Sequence, residues 1–246
     1  MEAIILAGGK GTRLRSLVSD RPKPLADVRG RPFLEHLMDF LLRQGCAHFI
    51  LSTGYRKGMI RSHFGNAYKG IAISYAEENE PLGTGGAVLK SHTKLTTQRP
   101  FLIVNGDTFF NIKIENFQYF FETTNADLCI ALFKSRESHR YGLVELDDDH
   151  KVKDFDDKKA NIGQFANGGF FLARYEILTY FKRKLKSFSF EKDFLPEIRK
   201  NGCKITGIEF DDEFIEAIRD SHIIISDSST GSTHKNKYED KQAVDF

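Results

Sequence analysis

A glycine-rich turn directly after a short apolar run constrains this chain more than any other feature. Residues 1–5 suit a buried strand, and the next segment reads Leu6-Ala7-Gly8-Gly9-Lys10-Gly11-Thr12-Arg13-Leu14. Glycines allow backbone N–H groups to converge on an anion at close range. Arg13 can bind two phosphate oxygens at once, and the later Lys23 adds a mobile ammonium group. This combination predicts an enzyme that binds a nucleoside triphosphate.

Two other glycine motifs do not fit this segment. A P-loop requires G-x-x-x-x-G-K-[ST], and the sequence has no Gly-Lys-Ser or Gly-Lys-Thr in that frame. A dinucleotide-binding turn requires G-x-G-x-x-G, and Leu14 occupies the position of its last glycine. A tight structural loop is the remaining alternative, which the preceding strand and the two cationic side chains make less attractive.

Composition narrows the class of protein. The 246 residues, 40% of them hydrophobic, suit one α/β domain or two small ones. The 36 basic and 34 acidic residues nearly balance, which argues against a nucleic-acid-binding protein. Cys46, Cys129 and Cys203 are far apart, so we expect buried free thiols. Free thiols, together with no signal-peptide core in residues 1–20 and no membrane-spanning run, indicate a cytoplasmic protein without a membrane partner.

Apolar runs and helical patterns alternate through the first half of the chain. Such alternation predicts an α/β fold with a Rossmann-like, mostly parallel, mixed sheet flanked by helices. The predicted strands cover residues 3–6, 48–52, 71–76, 101–104 and 127–133, and the predicted helices cover 33–43, 58–64, 85–91 and 117–123. Ligands of such sheets bind beyond the carboxyl ends of the strands, so residues 8–13 and 105–107 are expected to face one crevice.

The second half has a different rhythm and is expected to form the wall opposite the nucleotide. Its predicted strands cover residues 142–145, 152–155, 165–173 and 204–208, and its predicted helices cover 175–181 and 190–200. We expect a single domain over residues 1–220. Residues 221–246 are polar and rich in serine and threonine, which predicts a disordered tail.

One carboxylate is a candidate metal ligand. Asp107 follows a buried strand in Asn105-Gly106-Asp107. Mg²⁺ takes one or two carboxylates and completes its shell with phosphate and water, so Asp107 next to a polyphosphate is predicted to bind Mg²⁺. The alternative is a plain turn residue, because Asn-Gly-Asp-Thr is a strong turn sequence.

Two further segments are candidates for substrate contacts. The glycine-rich stretch 80–87, Glu-Pro-Leu-Gly-Thr-Gly-Gly-Ala, could let a nucleobase lie against the backbone, or it could be a loop before a helix. Lys158 could hold the phosphate of a second substrate, while Asp157 and Asn167 could bind its hydroxyls. The alternative for these charges is a solvated face.

In this order the segments resemble the sugar-phosphate nucleotidyltransferases. That family has a strand followed by L-A-G-G-x-G-T-R-L, then K-P, and later P-L-G-T-x-G-A, N-G-D, an F-x-E-K-type segment and N-x-G. The resemblance extends over residues 1–215. Asn105-Gly106-Asp107-Thr108-Phe109-Phe110, Asn167-Gly168-Gly169 and the compact length are most similar to the D-glycero-α-D-manno-heptose 1-phosphate guanylyltransferases within that family. The fold implied is the nucleotide-diphospho-sugar transferase type.

The resemblance implies that GTP, or another NTP, reacts with a sugar 1-phosphate to give an NDP-sugar and pyrophosphate. The product would serve the synthesis of surface glycans such as lipopolysaccharide or capsule. Arg13, Lys23 and Asp107 would be catalytic, with Lys23 at the α-phosphate. The nucleotide site would comprise Leu6, Ala7, Gly8, Gly9, Gly11, Thr12, Arg13, Pro81, Gly83, Thr84, Gly85, Asn105 and Gly106. The sugar-phosphate site would comprise Tyr141, Gly142, Asp157, Lys158, Asn167 and Gly168.

One departure from the family pattern concerns the second metal ligand. The family commonly has F-x-D-I-G-T-P near its end, and the aspartate of this motif is a second ligand of Mg²⁺. The corresponding stretch of this chain reads Phe214-Ile215-Glu216-Ala217-Ile218-Arg219-Asp220. Glu216 could bind the metal with a longer side chain, or Asp220 could substitute.

Three functional hypotheses therefore remain. The first is an active heptose 1-phosphate guanylyltransferase. The second is a mannose 1-phosphate guanylyltransferase or a glucose 1-phosphate uridylyl- or thymidylyltransferase. The third is a non-catalytic nucleotide-sugar-binding paralogue with a degenerate metal site. A monomer or homodimer is expected in each case.

Overall fold

The computed structural model describes residues 1–9, 21–136, 141–181 and 186–211, together with the backbone of the strand Phe214–Glu216. Residues 156–159 are likewise described by their backbone alone. Gly11, Thr12 and Arg13 of the first motif lie outside the described residues, as do Asp220 and the predicted tail over residues 221–246.

Strands and helices alternate along the described chain. The strands are β1 (Glu2–Leu6), β2 (Asp27–Val28), β3 (Arg31–Pro32), β4 (His48–Thr53), β5 (Ala67–Tyr68), β6 (Ile71–Glu77), β7 (Phe101–Asn105), β8 (Thr108–Phe110), β9 (Leu128–Lys134), β10 (Gly142–Leu146), β11 (Val152–Lys159), β12 (Phe165–Ala173), β13 (Ile205–Glu209) and β14 (Phe214–Glu216). The α-helices are α1 (Phe33–Arg43), α2 (Lys57–Phe64), α3 (Gly83–His92), α4 (Ile114–Thr123) and α5 (Leu195–Lys200). Lys23–Leu25 and Tyr175–Tyr180 form 3₁₀ turns, and Phe190–Phe194 forms a π-helical turn.

Ten of the described strands form one mixed sheet. Its main path runs β11-β10-β12-β7-β1-β4-β6-β5, with β9 beside β12 and β13 beside β9. The strands β7, β1, β4 and β6 are parallel neighbours, whereas β12 runs antiparallel to β7 and opens the other half. The predicted α/β fold, a mixed sheet covered by helices, is confirmed, and its parallel half comes from the first half of the chain.

Hydrophobic layers cover both faces of the sheet. On β1, Ala3 and Ile5 face the layer that contains α1, α2 and α4, while Ile4 faces the layer that contains α3 and α5. This alternation is the two-residue period of a strand buried on both faces. Each fully buried aliphatic or aromatic side chain in these layers stabilises the fold by roughly 1.5–3 kcal/mol. The parallel strands therefore lie within the core, and their carboxyl ends form one edge of the sheet.

The described elements differ from the predicted ones in several places. Helix α4 begins at Ile114 rather than at residue 117, because the Ile114 N–H is capped by the side-chain oxygen of Gln44 at 3.1 Å. Residues 175–180 form a 3₁₀ turn rather than an α-helix, and the helix over residues 190–200 starts with a π-helical turn. The strands β2, β3, β5, β8 and β14 were not predicted, because each has only two or three residues. The last two pair with each other across the sequence.

The three cysteines agree with the prediction from the sequence. Cys46, Cys129 and Cys203 are buried and free. Burial raises the pKa of Cys46 and of Cys129 to about 12, so neither is a reactive thiolate near neutral pH. Among the described helices, none combines the length and apolar character needed to cross a membrane.

Candidate functional site

The parallel strands end together at one edge of the sheet. Gly8 follows β1, Gly54 follows β4, Glu78 follows β6 and Gly106-Asp107 follows β7. Because these strands are parallel neighbours, the four turns lie side by side. The sequence motifs over residues 8–9 and 105–107 thus meet at the edge where ligands of open α/β sheets bind.

Backbone hydrogen bonds fix the first glycine turn against its neighbours. The Ala7 N–H donates to the Ser52 carbonyl at 2.8 Å, and the Tyr55 N–H donates to the Gly8 carbonyl at 3.3 Å. A Cβ atom on Gly8 would lie 3.3 Å from the Gly54 nitrogen, so a side chain there would crowd the next turn. Gly9 is exposed and its Cβ position is open, which leaves its backbone accessible to a ligand.

Two of the predicted catalytic residues form an ion pair. The Lys23 Nζ lies 2.6 Å from Oδ2 of Asp107, with 12% of the Lys23 side chain and 40% of the Asp107 side chain exposed. Lys23 begins a 3₁₀ turn whose next residues, Pro24 and Leu25, are buried. The Lys-Pro motif thus anchors the backbone at Lys23 while its long side chain reaches the turn after β7.

The surroundings of Asp107 fit a divalent cation. Strand β14 pairs antiparallel with β8, and the backbone of Glu216 lies opposite Thr108, the residue after Asp107. The Thr108 hydroxyl oxygen is buried and has no hydrogen-bond partner among the described residues. Asp107 supplies one carboxylate, and the backbone of a second acidic residue, Glu216, lies opposite the neighbour of Asp107. Such an arrangement suits Mg²⁺, which takes its other ligands from phosphate and water. Within the described part of the chain, no group of three or more His, Cys, Asp or Glu residues could hold a metal.

The second glycine-rich stretch packs on a segment from the other half of the chain. The Gly85 N–H donates to the Phe188 carbonyl at 3.0 Å, and the Phe190 N–H donates to Thr84 Oγ1 at 2.8 Å. Gly83 has φ of +71°, and a Cβ atom there would overlap the Phe188 carbonyl. Pro81, Gly83 and Thr84 are exposed, whereas Gly85 is buried. Close packing against Phe188 therefore explains these glycines, while the exposed residues face solvent.

Glu78 is a candidate site residue that the sequence motifs did not single out. Its Oε2 accepts a hydrogen bond from the Leu82 N–H at 3.0 Å, and its Oε1 lies 3.4 Å from the Ser52 hydroxyl. The same Oε1 lies 3.2 Å from the Cβ position of Gly8, so the carboxylate stands between the two glycine-rich turns. The predicted strand over residues 71–76 ends just before Glu78, and the rule that singled out Asp107 would also have found it.

The Asn167-Gly168-Gly169 motif packs directly on the turn that carries Asp107. Asn167 Oδ1 accepts a hydrogen bond from the Gly169 N–H at 2.8 Å. Gly169 has φ of +76°, and its Cβ position lies 2.8 Å from both Asn105 Nδ2 and Thr108 Oγ1. The Cβ position of Gly168 lies 2.5 Å from the Phe110 ring. The absence of side chains lets the predicted sugar and nucleotide motifs touch.

The other predicted sugar-phosphate residues lie on two paired strands. Gly142 on β10 pairs with Lys159 on β11, and the next pair is Leu143 with Asp156. Asp157 and Lys158 therefore lie in an irregularity between two ladder pairs, although their side chains lie outside the described residues. Bulges of this kind often re-aim side chains beside functional sites. Tyr141 is half-buried and contacts the Phe133 ring edge-on, with ring centroids 5.0 Å apart.

Glu191 is a second carboxyl that the sequence reasoning did not single out. It lies in the π-helical turn that follows Ser189, whose side chain accepts a hydrogen bond from the Lys192 N–H. Burial raises the pKa of Glu191, and the negative charge of Asp107 raises it further. The charge of this acid, from the second half of the chain, is therefore coupled electrostatically to that of Asp107.

Known proteins resemble this chain over most of its length. The family model described as nucleotidyl transferase matches residues 2–213. A D-glycero-alpha-D-manno-heptose 1-phosphate guanylyltransferase of Aneurinibacillus thermoaerophilus is 45% identical over 195 residues, covering 79% of this chain and 84% of that protein. The Campylobacter jejuni subsp. jejuni serotype O:2 protein of the same description is 38% identical over 216 residues, 88% of this chain and 94% of that one. The crystal structure of HddC from Yersinia pseudotuberculosis complexed with GMP-PN superposes with a TM-score of 0.78 at 31% identity, covering 91% of this chain and 97% of that chain.

Proposed function

This chain belongs to the nucleotidyl transferase family, and we propose that it joins D-glycero-α-D-manno-heptose 1-phosphate to the guanosine monophosphate part of GTP, with release of pyrophosphate. The observation that carries the proposal is the 45% identity to a relative described as a guanylyltransferase for that sugar phosphate. The HddC structure, whose ligand is the guanine nucleotide GMP-PN, supports the choice of base. The proposed enzyme is cytoplasmic, which is consistent with its buried free cysteines. Its proposed product supplies activated heptose for surface glycans.

The chemistry requires charge neutralisation and alignment more than proton transfer. The sugar 1-phosphate oxygen, already ionised at pH 7, attacks the α-phosphorus of GTP, and pyrophosphate leaves in line. Lys23 supplies positive charge at the α-phosphate, and the exposed backbone at Gly9 supplies an N–H group to the phosphates. Arg13 is proposed to support the leaving pyrophosphate. Mg²⁺ bound by Asp107 and Glu216 would neutralise phosphate charge, which is the usual contribution of a metal to this reaction.

Glu78 is the residue we propose to recognise guanine. Guanine presents two adjacent donors, N1–H and the N2 amino group, on its Watson–Crick edge, and a carboxylate can accept both. Each carboxylate oxygen has two lone pairs, so Oε2 can accept from guanine as well as from the Leu82 N–H. Uracil and thymine present one N–H between two carbonyls, and adenine presents an acceptor at N1. A carboxylate between the two glycine-rich turns therefore favours guanine over uracil, thymine and adenine.

The altered C-terminal motif supports the competing hypothesis of a non-catalytic binding protein, because the glycine and proline of the family pattern are missing. The backbone pairing of Phe214–Glu216 with β8 supports the catalytic reading, because it keeps an acidic position beside Asp107. The ion pair of Lys23 with Asp107 supports the same reading. Whether the enzyme is a monomer or a homodimer does not affect this assignment.

The test is Mg²⁺-dependent pyrophosphate release with five nucleotides, GTP, ATP, CTP, UTP and dTTP, each against heptose, mannose and glucose 1-phosphates. Turnover is expected with GTP and the heptose phosphate, and EDTA or Asp107→Asn should abolish it. Preference for mannose or glucose 1-phosphate would replace the proposed sugar. Binding of GTP without turnover on any sugar phosphate would replace the catalytic proposal with the non-catalytic one.

A further inference from the structure

The ion pair of Lys23 with Asp107 suggests an order of binding. We propose that Lys23 is an internal counter-ion at the metal position of Asp107, so that the divalent cation enters the site together with the nucleotide rather than before it. This inference rests on the proposed function, since it takes Asp107 to be a metal ligand. It adds a role for Lys23 in the nucleotide-free enzyme to the expected contact with the α-phosphate.

The geometry places the lysine charge where a metal would bind. The Lys23 Nζ lies 2.6 Å from Asp107 Oδ2, a charge-assisted contact that occupies a lone pair of that oxygen. Lys23 is 12% exposed while Asp107 is 40% exposed, so the ammonium approaches from the protein side and the carboxylate keeps an open side toward solvent. A cation that bound Asp107 in this state would lie close to a like charge, and we expect this to weaken its binding about tenfold.

The nucleotide offers Lys23 a different partner. The lysine side chain has a flexible four-carbon stem, and its backbone is fixed by the buried Pro24 and Leu25. When the triphosphate enters, the ammonium can exchange the carboxylate for a phosphate oxygen without moving its backbone. Asp107 Oδ2 then becomes available to the cation that accompanies the phosphates. Metal and nucleotide should therefore bind with positive coupling, and the coupling must be reciprocal.

The test measures metal binding rather than turnover. Mn²⁺, which replaces Mg²⁺ and gives an EPR signal when free, is titrated into the full-length protein without nucleotide. Lys23→Met should bind Mn²⁺ about tenfold more tightly than the wild type, and Lys23→Gln should behave in the same way. Lys69→Met is the matched control, because Lys69 also forms a 2.6 Å ion pair, with Asp39, but lies away from the site. Its Mn²⁺ affinity should equal that of the wild type.

Two further measurements complete the test. Adding Asp107→Asn to Lys23→Met should remove the gained affinity, because the cation would lose its ligand. Adding GTP without a sugar phosphate should tighten Mn²⁺ binding strongly in the wild type and much less in Lys23→Met. Unchanged or weaker nucleotide-free Mn²⁺ binding in both folded Lys23 variants, or a gain that survives Asp107→Asn, would overturn the proposal. None of these readouts depends on the sugar, so a wrong sugar in the turnover panel would leave this result intact.

Discussion

The backbone N–H of Gly106 donates to the Leu6 carbonyl oxygen at 3.1 Å, and the Cβ position of Gly106 lies 2.7 Å from the same oxygen. The turn that carries Asp107 is thus in direct contact with the last residue of β1. Strand β1 leads into the first glycine-rich turn. Because Gly106 has no side chain, this turn and the Asn105-Gly106-Asp107 turn can lie side by side at the same edge of the sheet. The position of Asp107 relative to the first glycine-rich turn depends on this contact.

We expect Gly106→Ala to reduce kcat by about 100-fold, because the added methyl group would push Asp107 away and a shift of about 1 Å has an effect of that size. The overpacking should destabilise the fold by about 1–3 kcal/mol, leaving it folded at 25 °C. Steady-state kinetics and urea unfolding measure the two effects. Gly58→Ala is the control, since Gly58 is exposed in α2 and its Cβ position is open. A Gly106→Ala enzyme with wild-type kcat would contradict the steric role.

Much of the parallel half could be predicted from the sequence. Strand β1 and helix α1 are long enough for apolar periodicity to mark them, and the predicted helix over residues 33–43 matches α1 residue for residue. Asp107 could be singled out because it follows a short apolar strand, and ligands of open α/β sheets bind beyond the carboxyl ends of the strands. The family, the fold class and the enzyme class follow from the same motifs and are confirmed.

Contacts that join distant segments could not be predicted in this way. The Lys23 contact with Asp107 spans 84 positions in the sequence, and the pairing of β8 with β14 joins two segments of three residues each. The second glycine-rich stretch looked like a base-binding loop, while its glycines also make room for Phe188, which is more than 100 positions away. No local pattern encodes such partners, because each depends on how the whole sheet is wound.

Guanine recognition by Glu78 is tested by comparing GTP with inosine triphosphate, which lacks the N2 amino group. The wild type should use GTP about 10-fold or more better in kcat/KM, since a site built to accept a hydrogen bond penalises a missing donor. Glu78→Gln should reduce kcat/KM for GTP and bring the ratio of the two nucleotides close to one. The exposed Glu122, in α4, provides the control Glu122→Gln. A ratio unchanged by Glu78→Gln would assign guanine recognition to another group.

The opposite end of the sheet contains a buried acid that should make stability depend on pH. Glu2 is 7% exposed and accepts hydrogen bonds from the backbone N–H groups of Thr96 and Thr97, both at 2.9 Å. His48 Nδ1 lies 2.7 Å from Glu2 Oε1, and His48 Nε2 lies 2.9 Å from the Ser74 hydroxyl. Burial alone would raise the pKa of Glu2, but these hydrogen bonds outweigh it and lower the pKa to about 2.

Because the pKa of Glu2 is lower in the folded state, its contribution to stability is complete above about pH 4.5 and is lost as the pH falls toward 2. The shift corresponds to about 3 kcal/mol at neutral pH. Glu2→Gln should therefore lower the free energy of unfolding at pH 7, and its difference from the wild type should shrink between pH 4.5 and pH 3. Urea unfolding at several pH values measures this. As a control, Glu122→Gln at an exposed position should change the free energy of unfolding by less than about 0.5 kcal/mol at every pH. A difference between Glu2→Gln and the wild type that does not vary with pH would contradict the role of the Glu2 carboxylate.

The backbone register of β14 makes Glu216 the acid to test as the second metal ligand. Its Cα partner is Thr108, so its position lies beside Asp107, while Asp220 is four residues further along the chain. Glu216→Gln should reduce kcat by about 100-fold or more and raise the Mg²⁺ concentration needed for half-maximal rate, because one of two carboxylates is lost. Glu216→Asp should restore part of the rate, since the family has aspartate there. Asp211→Asn, at an exposed acid just after β13, should leave both quantities unchanged. If Asp220→Asn raises the Mg²⁺ requirement and Glu216→Gln does not, the second ligand is Asp220 rather than Glu216. The pairing of β14 with β8 would then serve to position the segment that carries Asp220.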